Sequence, residues 1–369
     1  MKNTVKGYLA GILTCVLLFG TIAVSANTRS IMREIFYGVN VTVDGVPQTF
    51  TDDMRPFIMD GRTYLPVRAI SEALGQPVEW DGATSTVYVG AGIPISSQSN
   101  RPTHVRIGNV NHRTNITSLD INNGELTTAS IASLIHMTNL IELRLDSNQI
   151  NNVNSLSGLT NLRLLQLTQN QIRDISPLRG LTNLRGLYLH NNPISDISAL
   201  SGLTNLTGLG LMNIQARDFS TLSRLINLQS LTLRGNQISD ISILSGLTNL
   251  YFLNINDNQI RNINALSGLY NLETLYAWGN QITSTDIRAL SGLTNLKHLS
   301  LGNNQLTDID ALSGLTNLTD LWLFNNQIRD VNSLRGLTNL VRLDLTGNPL
   351  TSSQINELRR ALPNCEILF

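Results

Sequence analysis

The chain has 369 residues, 26 basic and 26 acidic side chains, and a hydrophobic fraction of 41 %. Zero net charge argues against a nucleic-acid binder, which needs a basic surplus gathered on one face. Charged residues make up 14 % of the chain, against roughly 25 % in an average soluble protein, and the apolar positions recur too regularly for a disordered chain.

Lys2 and Lys6 precede an apolar run from Tyr8 to Val24, and Val24-Ser25-Ala26 supplies small residues for cleavage. This is the layout of a secretory signal peptide over residues 1–26, cut after Ala26. The alternative is an uncleaved anchor, because the run sits at the lower edge of a membrane span. Either reading puts the mature protein outside the cytoplasm, secreted or associated with the cell surface. Residues 27–35 read as a linker.

Residues 36–90 read as a small α+β domain of ββαββ order. Tyr37 to Val43 alternates, and Asp44-Gly45 makes a hairpin turn. Pro66 suits the first position of a helix, Val67, Ile70 and Leu74 share one helical face, and Gly75 suits its end. Val78-Glu79-Trp80 and Thr86 to Val89 form a second hairpin around Asp81-Gly82. The run Asp60-Gly61-Arg62-Thr63-Tyr64-Leu65-Pro66-Val67-Arg68-Ala69-Ile70, with Glu72 to Gly75 and Val78 to Trp80, resembles the copper amine oxidase N-terminal-like module. This stalk domain occurs in exported proteins of Gram-positive bacteria. The resemblance implies a surface spacer or attachment module. A copper site needs imidazole ligands, and residues 27–90 contain neither His nor Cys, so no metal or other cofactor is expected. Residues 91–113 read as a polar linker.

From residue 114 to 351 the chain repeats. Units begin at Ile116, Leu140, Leu162, Leu184, Leu206, Leu228, Leu250, Leu272, Leu296, Leu318 and Leu340, with a period of 22 residues except for two units of 24. Leu162 to Ile172 fits the leucine-rich-repeat template L-x-x-L-x-L-x-x-N-x-L. Each unit supplies a short strand with alternating faces, and Leu162, Leu165, Leu167, Ile172, Ile175, Leu178 and Leu181 need neighbouring units to enclose them. Asn148, Asn170, Asn192, Asn236, Asn258, Asn280, Asn304, Asn326 and Asn348 form a column of carboxamides suited to satisfying backbone groups where the strand bends. Ile214 interrupts the column, which predicts looser local structure there, and Gly124 takes the place in the first unit.

The 22-residue period, with its Asn-Gln-Ile-x-Asp-Ile and Leu-Ser-Gly-Leu-Thr-Asn-Leu phrases, resembles the internalin class of bacterial leucine-rich-repeat proteins. That resemblance implies a right-handed curved solenoid with a concave parallel β-sheet and convex turns or 3₁₀ segments. The sequence departs from the class in lacking an L-P-x-T-G signal and an immunoglobulin-like segment after the repeats. Residues 352–369 leave the repeat pattern. Ile355, Leu358 and Leu362 suit a helix that caps the core, with Cys365 as a buried apolar filler.

The third, fifth and seventh positions of each unit face outward on the concave side. Tyr188, His190, Phe252, Tyr276, Trp278, His298, Trp322 and Phe324 fall in these columns and form the candidate ligand-binding set. Ser300 and Gly302 lie between two aromatic pairs, so a slot about 10 Å wide is expected from the strand spacing. Binding through this patch and mutual covering of the rings remain alternatives. No G-x-S-x-G, H-E-x-x-H, Walker or EF-hand motif occurs. Asp174, Asp196, Asp240, Asp308 and Asp330 recur once per repeat, as turn residues do. The expected function is non-enzymatic recognition of a protein partner through the concave face. A cell-envelope carbohydrate or peptidoglycan ligand and a purely structural stalk are the alternatives. No nucleic-acid partner is expected, and membrane contact only through the signal or anchor segment.

Overall fold

The computed structural model describes residues 102–369 throughout and, before them, seven short strands by their backbone. The chain divides into two units, Met1–Arg101 and Pro102–Phe369. In the first, Thr42–Val43 pairs with Val46–Pro47 and Val78–Asp81 with Thr86–Val89, both antiparallel. Ile35–Tyr37, Phe57–Met59 and Arg62–Tyr64 form a third antiparallel sheet with Phe57–Met59 in the middle. Asp60-Gly61 separates the last two of these strands in the sequence, the same hairpin signal as Asp44-Gly45. The signal segment and the helix expected after Pro66 lie outside the described residues.

The second unit is a leucine-rich-repeat solenoid. Twelve three-residue strands, from Ser118–Asp120 to Glu366–Leu368, form one parallel sheet in chain order. Register advances by one repeat per strand, so that Leu165 lies between Leu143 and Leu187. A 3₁₀ turn in each of the first ten repeats, from Ala132–His136 to Asn332–Leu334, brings the chain back along the opposite side. All seven apolar residues of the unit beginning at Leu162 are at most 1 % exposed. Each unit shields its neighbour's side chains, and the core runs the length of the array.

The recurrent aspartates hold the 3₁₀ turns. Asp174 Oδ1 accepts the Ser176 N–H at 2.7 Å, and Asp196, Asp218, Asp240, Asp308 and Asp330 make the same bond two residues on. This local Asx bond gives the turn a fixed start. The Ser220 and Ser242 hydrogen bonds, backbone first, hold the Asp218 and Asp240 carboxyls below the ordinary carboxylate range.

The asparagine column closes the bend after each strand. Asn170 Nδ2 donates to the carbonyls of Leu145 and Leu167 at 2.9 and 3.1 Å, and its Oδ1 accepts the Ile150 N–H at 3.0 Å. One side chain thus joins two repeats, and most of the column is over 90 % buried. Asn258 also receives the Asn236 N–H.

At Ile214 the structure departs from the expected loosening. The Ile214 side chain is 6 % exposed, and its N–H is taken by Asn236 Oδ1 at 2.9 Å. The Ile194 N–H, which a carboxamide at 214 would have received, instead donates to the Asn192 carbonyl at 2.8 Å. Pro193 lies between them, and its fixed φ favours such a two-residue turn. The same turn recurs at the end of the array, where the Leu350 N–H donates to the Asn348 carbonyl at 2.8 Å across Pro349.

Both ends of the core are covered. Residues 104–113, read as part of a linker, form an antiparallel hairpin that places Val105 and Ile107 in the core. Their V-x-I alternation was the sequence signal. At the other end Thr351 and Gln354 make a capping box on the helix Ser352–Ala361, which buries Ile355 and Leu358. A final strand, Glu366–Leu368, then joins the sheet beside Arg342–Asp344. Cys365 is half-buried rather than fully enclosed, and burial raises its thiol pKa.

Replacing Asn258 with Ala should strand the Ile238 and Asn236 N–H groups, both bonded to its Oδ1 in the core. Urea denaturation should show a loss on the order of 3 kcal/mol. Hydrogen exchange at Ile194 and Ile214 should match that of equivalent amides in neighbouring repeats. Faster exchange at these two positions would restore the looser reading.

Candidate functional site: the aromatic face of the sheet

The strand alternation that buries each central leucine turns its two neighbours to the concave face. Tyr188, Phe252, Tyr276, His298 and Trp322 stand on strands. His190, Trp278 and Phe324 follow two residues later in their units. All eight are partly exposed.

Phe252, Tyr276 and Trp322 form a continuous row. The Phe252 and Tyr276 centroids are 5.8 Å apart at 86°, and those of Tyr276 and Trp322 are 6.2 Å apart at 64°. Edge-to-face contacts at these distances are favourable aromatic geometry. Tyr276 and Trp322 flank Ser300 in register, and their contact over this buried serine closes the expected slot on that row. The small residue at 300 lets the rings meet rather than holding them apart. Gly302 plays a similar part. A Cβ built there would lie 2.5 Å from Phe324 Cε1 and Cζ, so the ring occupies space that any side chain would fill.

Trp278 is held from the other side. The Arg234 guanidinium lies 5.1 Å from its ring centroid and is fixed by Asp257, with Nε to Oδ2 at 2.8 Å. Asp257 escaped the sequence reading because it lies outside the three outward columns. It occupies a position where the backbone turns left-handed, φ 54°, and where most units carry Asn, Gln or Gly. An acidic residue in that column was the available signal.

Beside the row lies a polar cluster. Asp320, 3 % exposed, bonds through Oδ2 with His298 Nδ1 and with Thr319 Oγ1, both at 2.8 Å, and through Oδ1 with Arg342 Nε. Burial pushes the Asp320 carboxyl up, but the Arg342 and Thr319 hydrogen bonds, the Arg342 charge and the His298 bond outweigh it. The net direction is downward. Asp320 therefore stays ionised and anchors two side chains that edge the aromatic patch.

Tyr188 and His190 do not join this patch. Two strands of small residues, Gly208–Gly210 and Ser230–Thr232, separate them from Phe252. Their rings are 6.1 Å apart at 44° and occupy the space above Gly208 and Gly210. His190 Nδ1 accepts the Met212 N–H at 2.9 Å, which fixes the neutral tautomer with the proton on Nε2. Burial lowers its pKa. Asn256 receives the Trp278 N–H in the same register, at 2.9 Å.

Among the described residues no group of three or more His, Cys, Asp or Glu side chains is placed to hold a metal. Within them no helix is long and apolar enough to cross a membrane.

The fold is a solenoid of the leucine-rich-repeat class. Residues 114–172 match the leucine rich repeat family, and 182–224, 226–268, 270–314 and 316–360 match its two-copy form. Residues 42–123 match the copper amine oxidase N-terminal domain. The chain is similar to the crystal structure of an internalin (inlF) from Listeria monocytogenes at 31 % identity, covering 78 % of this chain and 84 % of that one with a TM-score of 0.62. A leucine-rich-repeat protein of Leptospira interrogans is 26 % identical over 64 % of this chain and 74 % of that one, TM-score 0.55. The functional domain of InlJ from Listeria monocytogenes, which includes a cysteine ladder, shares the fold at 23 % identity, 70 % and 55 % coverage and a TM-score of 0.58. No curated protein sequence matches significantly. The chain belongs to the internalin-like leucine-rich-repeat proteins.

The copper amine oxidase match does not bring a copper centre with it. Residues 27–90 have no His or Cys, and the imidazoles available in the rest of the matched segment are His104 and His112. These stand on the N-terminal hairpin of the solenoid, and among the described residues neither joins a group of three or more candidate ligands.

The fold favours neutral His190, so below the unfolded-state value of 6.5 the unfolded chain binds the proton more readily. The contribution of His190 to stability is therefore complete above that pH and declines as pH falls. His190→Asn should keep a bond to Met212, as Asn256 does to Trp278, and lose this acid sensitivity. Urea midpoints measured between neutral and mildly acidic pH for both proteins would test this. Parallel curves would contradict it.

Proposed function

We propose that the protein is an exported, non-enzymatic recognition module whose concave sheet binds a protein partner on the patch formed by Phe252, Tyr276, Trp278, Trp322 and Phe324. The observation that carries this reading is the packed aromatic row, fixed from beneath by Ser300 and Gly302 and at its edges by Arg234 and Asp320. Rings held in one arrangement lose little freedom on binding, and aromatic residues dominate interface energetics. Solenoids of this kind use their extended concave surfaces for binding. The arginines of the face are engaged with acids, Arg144 with Glu142, Arg234 with Asp257 and Arg342 with Asp320. That supports a protein ligand over nucleic acid. His298 belongs to the periphery of this site, and Tyr188 and His190 stand apart from it across two strands.

Export rests on the layout of residues 1–26, and a location outside the cell fits the internalin-like family. The N-terminal unit serves as a spacer or attachment module. A cell-wall glycan is the second reading of the face, since exposed rings also stack on sugars.

Immobilised protein should capture a specific protein from secreted or surface fractions, and Trp278→Ala/Trp322→Ala should abolish that capture. Mutant-sensitive retention on purified cell wall instead would move the function to glycan binding. Gly302→Ala, which displaces Phe324 without touching the leucine core, should weaken the captured interaction roughly tenfold with little change in unfolding midpoint. Unaltered affinity in both variants would remove the aromatic patch from the site.

A further inference from the structure

A second surface lies along one flank of the solenoid, just before the strands. Asn161, Asn183, Asn205, Asn227 and Asn249 each donate a carboxamide hydrogen to a backbone carbonyl of the preceding repeat at 2.9 Å. They form a second asparagine ladder, on the outside of the molecule. Beside it runs the column Arg163, Arg185, Thr207 and Gln229, and the two columns enclose an open groove of about 500 Å³. Five rungs at a strand spacing of about 4.8 Å give it a length near ~19 Å.

The two arginines set this groove apart. They occupy neighbouring repeats, joined by the Arg185 N–H to the Arg163 carbonyl at 2.8 Å. Neither guanidinium has an ion pair or hydrogen bond among the described residues, and no acidic residue lines the groove. Further along the same column the equivalent adjacent positions are Glu273 and Lys297, which pair at 2.9 Å. Two like charges one strand apart, both exposed, repel each other and are relieved by an anionic ligand.

We propose that this flank binds an extended anionic glycan, with Arg163 and Arg185 holding its carboxylate or phosphate groups and the asparagine ladder meeting its hydroxyls. Each ladder carboxamide has spent one hydrogen on the backbone and keeps an oxygen and a second hydrogen for a ligand. Such mixed donors and acceptors suit hydroxyl groups, and planar guanidiniums suit carboxylate or phosphate. An acidic peptide fits less well. The Arg163 carbonyl already accepts from Arg185 and Gly186, and the Arg185 carbonyl from Thr207 and Gly208. No backbone edge is therefore left there for strand addition. This site is separate from the aromatic face and does not depend on it.

Full-length protein would be titrated against labelled oligogalacturonate and labelled poly(glycerol phosphate), with a neutral dextran oligomer and oligoglutamate as comparisons, at low and high salt. At least one anionic glycan should bind, weaken with salt, and exceed dextran and oligoglutamate by roughly tenfold or more. Arg163→Gln/Arg185→Gln should remove roughly tenfold or more of that affinity while leaving the unfolding midpoint unchanged. Trp278→Ala/Trp322→Ala should leave it intact, which separates this site from the concave one. The glycan that binds tells carboxylate from phosphate recognition. No saturable binding by either anionic glycan, or binding indifferent to the arginine substitutions, would overturn the proposal. Equal binding of oligoglutamate, lost with the same arginines, would replace the glycan with an acidic peptide.

Discussion

The solenoid depends on how its backbone is satisfied where each strand turns toward the convex side. A bend that leaves the sheet exposes N–H and carbonyl groups inside an apolar core, where an unpaired group is costly. The buried asparagines solve this with a carboxamide, which donates and accepts from one planar group. Because Asn170 reaches Leu145 in one repeat and Ile150 in the same preceding unit, the solution also locks successive repeats into register. The strand spacing, the buried leucines and the outward columns all follow from that registration.

Registration then determines what the concave face can hold. Positions 276, 300 and 322 stand side by side because their repeats are aligned, and only then does a serine between two aromatics become a place where rings converge. Gly302 under Phe324 and Gly208 and Gly210 under Tyr188 and His190 are the same device. The small residue shapes the surface as much as the ring does. The outer asparagine ladder repeats the carboxamide solution on a flank that faces solvent, where the unspent half of each amide is free for other work.

Much of the fold was legible from spacing alone. The repeat period, the core set of the Leu162 unit and the carboxamide column follow from periodicity, since each position recurs many times and sees the same surroundings. The face residues were legible as columns, but their contacts were not. A slot between Tyr276 and Trp322 was inferred from strand spacing, and side chains long enough to lean across one strand closed it. Asp257 was missed because its reach to Arg234 depends on a left-handed backbone turn. The hairpin at 104–113 was missed because a cap breaks the period by its nature. The outer ladder was hidden in the Leu-Thr-Asn-Leu phrase, whose asparagine belongs neither to the buried carboxamide column nor to the outward columns.

The Asn-Pro turns bear on how neighbouring repeats are joined. Asn192-Pro193 and Asn348-Pro349 each return the following N–H to the asparagine's own carbonyl, so neither needs a carboxamide from the next repeat. One marks the end of the array and the other lies in its middle. Between Pro193 and Asn236 the upstream ladder is already closed. The Leu184 and Leu206 repeats are therefore joined by the sheet ladder and core packing without a buried carboxamide bridge.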